Sequence, residues 1–142
     1  MATRDGSAEW KGDLPGGTGT LRVGDGHFEG AYSFSSRFEE GEGTNPEELI
    51  AGAHAACFAM ALSNDLASAG HEAESVRATA RVHLRNVEGA PTIAQIDLDV
   101  VGQVPGLDED GFREYAEGAK RNCPVSRALA SVPEINLNAR LA

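Results

Sequence analysis

The chain contains two cysteines, and each lies in a setting that suits a reactive thiol. Cys57 follows the sequence Ala-His-Ala-Ala, in a segment that begins with Asn-Pro-Glu-Glu. Cys123 directly precedes Pro124, and proline is favoured in the first turn of a helix. A thiol at a helix start lies near the partial positive charge of the helix dipole, which favours the thiolate. Together the two settings indicate thiol redox chemistry rather than packing.

Cys57 needs a nearby cation if it is to react with an oxidant, because a thiol attacks only as thiolate and burial opposes its ionisation. Arg37 is the best candidate, since a guanidinium stays charged and carries five hydrogen-bond donors. Glu47 could pair with Arg37 and fix its orientation. The alternative is that Arg37 and Glu47 are solvated surface charges and Cys57 is an inert core residue. These residues alone favour neither reading.

Cys123 is the candidate for a second, resolving thiol. It lies 66 residues after Cys57, so the pair is not a Cys-x-x-Cys motif. In a peroxide cycle Cys123 would attack the sulfenic acid formed on Cys57 and close an intramolecular disulfide. The alternative is a buried cysteine that packs against Phe112 and Tyr115. Considering both thiols together weakens that alternative.

His54 lies three residues before Cys57, so the two share one face of a helix. A thiolate and an imidazole at this spacing would suit zinc. The other histidines are scattered along the chain and no second ligand pair accompanies them, so we predict no metal site and no cofactor. The favoured interpretation is a buried histidine with its hydrogen bonds satisfied, which could also tune Cys57 or line a pocket.

The composition predicts a single soluble domain over residues 1–142. The 12 basic and 22 acidic residues give a net charge of -10, which would repel nucleic acid. No segment approaches the roughly 18 uninterrupted apolar residues of a membrane span, and the first ten residues are polar. We therefore expect a cytoplasmic protein with neither a nucleic-acid nor a membrane partner.

A long helix is expected to carry Cys57. Asn45 suits its N-cap and Pro46 its first position, and Glu48 then falls where it can close a capping box. The helix should run to about Ala69, with Gly70 as its stop. Its middle is apolar or small nearly all round, which is typical of a buried helix. Cys57 should therefore lie at the centre of the protein or of a dimer.

The remaining segments predict an α+β fold with the order β-β-β-α-β-β-α-α-β. Alternation and turn residues indicate an antiparallel hairpin late in the chain, and a charged, glycine-bearing loop over residues 36–44. The predicted strands cover residues 7–11, 18–23, 27–34, 76–84, 94–100 and 135–141, and the two later helices cover 108–121 and 124–131.

At these residues the chain resembles the osmotically induced protein C / organic hydroperoxide resistance family of thiol peroxidases, most closely the osmotically induced protein C branch. The similarity runs almost from end to end. Its most specific parts are Asn-Pro-Glu-Glu-Leu followed by Ala-Ala-Cys, and a distant Cys-Pro-Val-Ser. The matching segments are residues 8–13, 34–39, 43–50, 53–58 and 122–126.

The resemblance implies an intertwined homodimer in which curved antiparallel sheets surround central helices. It also implies the reduction of organic hydroperoxides to alcohols in preference to hydrogen peroxide, in oxidative or osmotic stress defence. Cys57 matches the peroxidatic cysteine and Cys123 the resolving one. Arg37 matches the arginine that activates the thiolate, and Glu47 the glutamate that holds this arginine.

The resemblance also implies that an external dithiol reduces the Cys57–Cys123 disulfide, and the family suggests a dithiol of lipoyl type. Apolar residues should line the substrate pocket, because an organic tail gains from apolar burial and hydrogen peroxide does not. The candidates for this lining are Phe38, Ile50, Phe58 and Met60.

Two other readings of the sequence remain open. One is a non-enzymatic dimeric module in which both cysteines are structural, which slow, stoichiometric modification of the thiols would favour. The other is a zinc-binding or redox-sensing protein that uses Cys57 and His54, which metal that co-purifies with the protein would favour.

Overall fold

Three antiparallel strands form the first sheet of this computed structural model, which describes residues 2–142. Met1, the first residue of the predicted domain, lies outside the described residues. The chain divides into two compact units, an N-terminal unit that ends at Leu49 and a C-terminal unit that begins at Ile50. The first sheet belongs to the N-terminal unit and has the order β1 (Gly6–Lys11), β2 (Thr18–Val23) and β3 (Phe28–Tyr32).

Gly19 lies at the centre of this sheet, opposite Trp10 on one side and Tyr32 on the other. The two aromatic rings are 5.4 Å apart, and a Cβ at Gly19 would collide with both. A residue without a side chain is therefore required for the rings to meet over the strand. The predicted bounds of the second strand are confirmed, whereas the third strand ends two residues earlier than predicted.

A short helix, α1 (Phe34–Phe38), follows β3 and corrects the predicted loop over residues 36–44 in its first part. Ser33 caps the helix: its hydroxyl accepts a hydrogen bond from the Ser36 N–H at 3.0 Å. The Ser36 hydroxyl in turn accepts from the Ser33 N–H at 2.8 Å. This reciprocal pair ends β3 and starts the helix, with a serine where a capping box normally has glutamate or glutamine.

The long helix α2 (Pro46–Ser68) begins where the sequence predicts. The Asn45 side chain accepts a hydrogen bond from the Glu48 N–H at 2.8 Å, which is the expected N-cap contact. The second half of the expected capping box is wrong, because the Glu48 carboxylate accepts from the Thr44 hydroxyl at 3.0 Å. Gly70 follows the helix with a φ of 87°, a conformation that glycine adopts without strain.

The face of α2 that packs into the core is a single stripe with a spacing of four residues. His54, Phe58, Leu62 and Leu66 have no exposed surface. Met60, in contrast, is 75% exposed. The expectation that α2 is buried on every side is therefore wrong for one copy of the chain, because its apolar composition extends to a face that this chain does not cover.

By length and composition α2 is also long and apolar enough to cross a membrane. Its first turn carries two carboxylates, Glu47 and Glu48, and its buried stripe packs against the core of the C-terminal unit. One face of α2 therefore belongs to the core of the C-terminal unit.

The second sheet lies in the C-terminal unit and has the strand order β4 (Ser75–Val87), β5 (Ala90–Gln103) and β6 (Glu134–Leu141). β4 and β5 form the predicted antiparallel hairpin, which is longer at both ends than the sequence indicates. Its turn is the two residues Glu88 and Gly89, with φ values of 51° and 83°. Positive φ at both positions suits the twist of a two-residue hairpin.

β6 pairs with β5 in the parallel direction, with Val100 opposite Ala139. This pairing corrects the expectation of antiparallel sheets throughout. Between these strands the chain forms α3 (Glu109–Asn122) and α4 (Pro124–Ala128), and this crossover returns it to the same end of the sheet. The mixture of hairpins with separately packed helices confirms the α+β class.

Asp97 ties the three strands of the second sheet together. Its carboxylate accepts hydrogen bonds from Gln95 at 2.8 Å and Asn136 at 3.0 Å, and it lies 2.7 Å from the His83 ring. The hydrogen bonds from Gln95, Asn136 and His83 hold the pKa of Asp97 well below its usual range. The cluster therefore stabilises the charged carboxylate on the sheet surface.

The core of the C-terminal unit lies between α2, the second sheet and α3. Amphipathic α3 turns its apolar residues inward, while its acidic first turn and basic last turn match the helix dipole. The fully buried core includes Phe58, Leu62, Ile96, Phe112, Ala116 and Ala119.

Candidate functional site

Arg37 and Glu47 form an ion pair within the N-terminal unit. Glu47 Oε1 accepts hydrogen bonds from Arg37 Nε at 3.1 Å and Nη2 at 2.8 Å. The Glu47 side chain is only 10% exposed, whereas that of Arg37 is 38% exposed. A buried carboxylate paired on two donors fixes the plane of the guanidinium and leaves its outer edge accessible.

The last turn of α1 and the first turn of α2 supply this pair. The capping pair of Ser33 and Ser36 fixes α1, and the Ser36 hydroxyl also donates to the Thr44 carbonyl at 2.8 Å. Asn45 Nδ2 donates to the Ser36 carbonyl at 3.0 Å. These bonds tie the start of α2 to α1, so the sequence positions of Arg37 and Glu47 become neighbours in space.

A pocket of about 420 Å³ lies beside Arg37 in the N-terminal unit. Phe38 lines it and is 38% exposed, and the Arg37 guanidinium carbon lies 5.3 Å from the centre of the Phe38 ring. The sequence did not indicate the other members, because they meet only through the pairing of the first sheet. The full lining is Trp10, Gly12, Leu14, Tyr32, Ser33, Phe34, Arg37 and Phe38.

Cys57 and Cys123 are brought together in the C-terminal unit, although 66 residues separate them in sequence. Both are free thiols; Cys57 is half-buried and Cys123 is buried. Burial raises the pKa of the Cys57 thiol, a hydrogen bond from the Val125 backbone lowers it, and the neighbouring Cys123 thiol raises it further. In the described residues no cation contributes to this pKa, so Cys57 at rest favours the neutral thiol.

Cys123 ends α3 and caps α4, as its position before Pro124 predicts. Its sulfur accepts a hydrogen bond from the Ser126 N–H at 3.3 Å and lies 3.1 Å from the Ser126 hydroxyl. α4 has only five residues. The polarity around Cys123 therefore comes from Ser126 rather than from a long helix.

His54 lies on the buried stripe of α2, and its Nε2 is 2.7 Å from the Ser126 hydroxyl. The other ring nitrogen, Nδ1, is buried and has no hydrogen-bond partner among residues 2–142. Burial lowers the pKa of His54, so the ring is neutral near pH 7. The expectation of a fully satisfied buried histidine is therefore wrong at one nitrogen.

Ser126 is the residue of this cluster that the sequence did not reveal. It lies 72 residues from His54, and a serine at the third position of a helix is ordinary. The only local signal was its place in the Cys-Pro-Val-Ser segment.

The other residues predicted to line a substrate pocket have different environments. Phe58 is fully buried in the core of the C-terminal unit, and Met60 is largely exposed on the opposite side of α2. Ile50 is half-buried. Of the four predicted lining residues, Phe38 is the one that borders the pocket beside Arg37.

Residues 39–138 match the family described as OsmC-like protein. The chain is 43% identical over 139 residues to peroxiredoxin OsmC of Escherichia coli (strain K12), which covers 97% of this chain and 96% of that protein. It is 28% identical over 100 residues to organic hydroperoxide resistance protein-like 1 of Staphylococcus epidermidis, covering 70% of this chain and 71% of the relative.

Solved structures show the same fold. An organic hydroperoxide resistance protein from Elizabethkingia anophelis superimposes with a TM-score of 0.79 at 24% identity, covering 100% of this chain and 98% of that one. The organic hydroperoxide resistance protein OhrB of Bacillus subtilis superimposes with a TM-score of 0.73 at 24% identity, covering 97% and 98%.

Proposed function

This chain belongs to the OsmC-like protein family, and on that premise we propose that it is a cysteine-based peroxidase that reduces organic hydroperoxides to alcohols. The observation that carries the proposal is the pairing of Cys57 with Cys123 as two free thiols in one cluster. The 43% identity to a peroxiredoxin over almost the whole chain supports it.

In the first step the Cys57 thiolate attacks the distal oxygen of the hydroperoxide. A sulfur–oxygen bond forms, the oxygen–oxygen bond breaks, and the alkoxide leaves with a proton as the alcohol. In the second step Cys123 attacks the Cys57 sulfenic acid, which gives a disulfide and water. An external dithiol, such as a lipoyl group, then reduces the disulfide by thiol–disulfide exchange.

Arg37 supplies the positive charge that this chemistry requires. Burial raises the pKa of Cys57, so formation of the thiolate needs a cation. Glu47 occupies the Nε and Nη2 donors of Arg37. Within residues 2–142 the Nη1 donors have no acceptor, so they are available for a sulfur or peroxide oxygen. A guanidinium held in place before the reaction stabilises charge on the separating oxygens.

The pocket beside Arg37 supports an organic substrate. Its lining is mostly aromatic and aliphatic, so a hydrocarbon tail would leave water there while hydrogen peroxide would gain nothing. We retain Phe38 as the leading substrate contact. Ile50, Phe58 and Met60 remain candidates for substrate contacts.

We further propose that the protein acts as a cytoplasmic homodimer. Met60, together with the exposed small residues Ala53 and Ala56, lies on a face of α2 that a second copy could cover. A reducing compartment would keep Cys57 and Cys123 as thiols between turnovers. The net charge of -10 argues against a nucleic-acid partner.

Rapid mixing of the reduced protein with one equivalent of cumene hydroperoxide tests the proposal. Both thiols should disappear quickly with the organic peroxide and slowly with hydrogen peroxide. Cys57→Ser should lose the reaction, and Cys123→Ser should stop at the sulfenic acid. Equally slow thiol loss with both oxidants would instead indicate structural cysteines in a non-enzymatic module.

A further inference from the structure

A continuous chain of hydrogen bonds runs from the predicted resolving thiol into the protein interior. Cys123 Sγ lies 3.1 Å from Ser126 Oγ, and Ser126 Oγ lies 2.7 Å from His54 Nε2. The three residues are 1%, 5% and 0% exposed. Such a chain between a thiol and an imidazole is isolated from bulk water, so proton movement along it does not require solvent.

We propose that Ser126 and His54 form a proton relay that accepts the proton of Cys123 while this thiol attacks the Cys57 sulfenic acid. The inference rests on the peroxidase function proposed above and assigns a role to two residues outside that mechanism. His54 acts through Ser126, and Ser126 contacts the reacting sulfur directly.

The hydrogen-bond directions suit this transfer. With Cys123 as a thiol, its S–H donates to Ser126 Oγ, and the Ser126 O–H donates to an unprotonated His54 Nε2. When the sulfur attacks, one proton passes to the serine oxygen as another passes from that oxygen to the imidazole. The Cys123 sulfur exchanges its S–H bond for the S–S bond, the Ser126 oxygen keeps one O–H bond, and the His54 ring gains one N–H bond.

The step balances in atoms and electrons. The sulfur–sulfur bond forms as the sulfur–oxygen bond of the Cys57 sulfenic acid breaks. The Cys57 sulfur is reduced, the Cys123 sulfur is oxidised, and the hydroxide that leaves becomes water when it takes up one proton. The His54 imidazolium gives up its extra proton in exchange, so the ring returns to neutral and no net proton is gained or lost.

The environment of His54 suits a temporary proton acceptor. Within residues 2–142 its Nδ1 has no partner, so no carboxylate supports the charged ring as in a catalytic triad. Burial is the cause of its lowered pKa. A neutral ring of this kind is free to take up a proton at Nε2 through the Ser126 hydroxyl.

Three variants separate a proton relay from a merely structural contact. Glutamine in His54→Gln can accept a hydrogen bond but cannot take up a proton. Ser126→Ala removes the middle of the chain, and Ser126→Thr keeps a hydroxyl there. His71→Gln is the matched control, because His71 belongs to the same unit but contacts the Tyr115 ring instead.

The measurement follows one turnover with cumene hydroperoxide. Peroxide loss reports Cys57 oxidation, and mass spectrometry after acid quench reports the disulfide. His54→Gln and Ser126→Ala should oxidise Cys57 at nearly the wild-type rate but form the disulfide about a hundredfold more slowly. The sulfenic acid should accumulate and react with dimedone. Ser126→Thr and His71→Gln should form the disulfide at close to the wild-type rate.

The pH profile adds a readout that a structural role would not move. In His54→Gln the rate of disulfide formation should rise about tenfold per pH unit, because hydroxide replaces the missing base. In the wild type the rate of disulfide formation should not depend on pH over the range in which His54 is neutral. Wild-type disulfide formation in folded His54→Gln would overturn the relay and leave the peroxidase function intact.

Failure of the proposed function has a different signature, since Cys57 of the wild type would then be oxidised equally slowly by cumene hydroperoxide and by hydrogen peroxide. If circular dichroism shows that His54→Gln does not fold, the comparison of Ser126→Ala with Ser126→Thr tests the relay instead. Equal rates of disulfide formation in Ser126→Ala and Ser126→Thr would also overturn the relay.

Discussion

The two polar regions of this chain differ in charge. The Arg37–Glu47 pair is fully charged and keeps one partner partly exposed. The cluster of Cys57, Cys123, Ser126 and His54 carries thiols, a hydroxyl and a neutral ring. The N-terminal unit therefore holds an ion pair beside a pocket, and the C-terminal unit holds the thiols and the imidazole to which we assign the exchange of protons and electrons.

This difference predicts that mutations can separate the activation of Cys57 from the formation of the Cys57–Cys123 disulfide. Burial without a contributing cation favours the neutral Cys57 thiol, so in our proposal its activation needs the charge of Arg37. The proposed relay instead needs a neutral His54 as its proton acceptor. Variants of the charged pair should affect the first chemical step, and variants of the neutral cluster the second.

The largest effect is expected for Arg37→Ala. Loss of the guanidinium should slow the oxidation of Cys57 by cumene hydroperoxide about a hundredfold or more, as removal of a transition-state charge donor does. The thiolate is the reactive form and burial raises the Cys57 pKa, so the residual rate should increase with pH up to that raised pKa. Rapid-mixing measurements from mildly acidic to alkaline buffers test both parts.

Arg22→Ala is the matched control for this variant. Arg22 lies in the same unit, and its guanidinium donates to the Asp25 carbonyl at 2.9 Å instead of to a carboxylate. Its loss should leave the rate unchanged. Equal rates of Cys57 oxidation in Arg37→Ala and the wild type would contradict the assignment of activation to the charged region.

A smaller effect is expected for Phe38→Ser, which changes the pocket but keeps the ion pair. The ratio of kcat/KM for cumene hydroperoxide to that for hydrogen peroxide should fall about tenfold, since the organic tail loses an apolar contact. Phe28→Ser is the control, because Phe28 is also partly exposed in this unit but does not line the pocket. An unchanged ratio in Phe38→Ser would place substrate selection elsewhere.

The smallest effect on catalysis is expected for Asp97→Asn. This variant tests whether disturbing a polar cluster other than the thiol cluster also changes the thiol chemistry. The rate of Cys57 oxidation should not change. The free energy of unfolding at neutral pH should fall by about 1–2 kcal/mol, because three side chains lose a charged acceptor. Urea unfolding followed by circular dichroism measures this difference.

The difference in free energy of unfolding between the wild type and Asp97→Asn should disappear in acid. The folded pKa of Asp97 is depressed, so its stabilisation is complete above the ordinary aspartate pKa and is lost as pH falls towards the folded value. Wild type and Asp97→Asn should therefore converge in stability in strong acid. Asp99→Asn is the control, because its pair with Arg81 is more exposed and should contribute little. If the free energies of unfolding of the wild type and Asp97→Asn differed by the same amount at every pH, the stabilisation could not come from the charged Asp97 carboxylate.

Local signals in the sequence predicted the elements whose causes are local. The Asn45–Pro46 start of α2 and the bounds of β2 follow from capping and turn residues near them in the chain. α1 was missed, because a reciprocal pair of serines starts a helix of only five residues and leaves no periodicity. The direction of β6 depends on its crossover, which alternation cannot report.

The candidate site divides in the same way. The residue types and the family resemblance were enough to name Cys57, Cys123 and the Arg37–Glu47 pair. Ser126 was missed because its partners are assembled by tertiary packing. The sequence predicted a buried α2, but it also named Phe58 as a pocket residue, because an apolar helix shows no difference between core and pocket positions before its packing is known.

The parallel pairing of β6 constrains the order in which the C-terminal unit can fold. The β4–β5 hairpin closes over two residues, so it can form early, whereas β6 must return past α3 and α4. Contacts that close long loops form more slowly than local ones. Cys123 lies within that slow crossover, so during refolding its thiol should reach Cys57 late, when much of the hairpin is already in place.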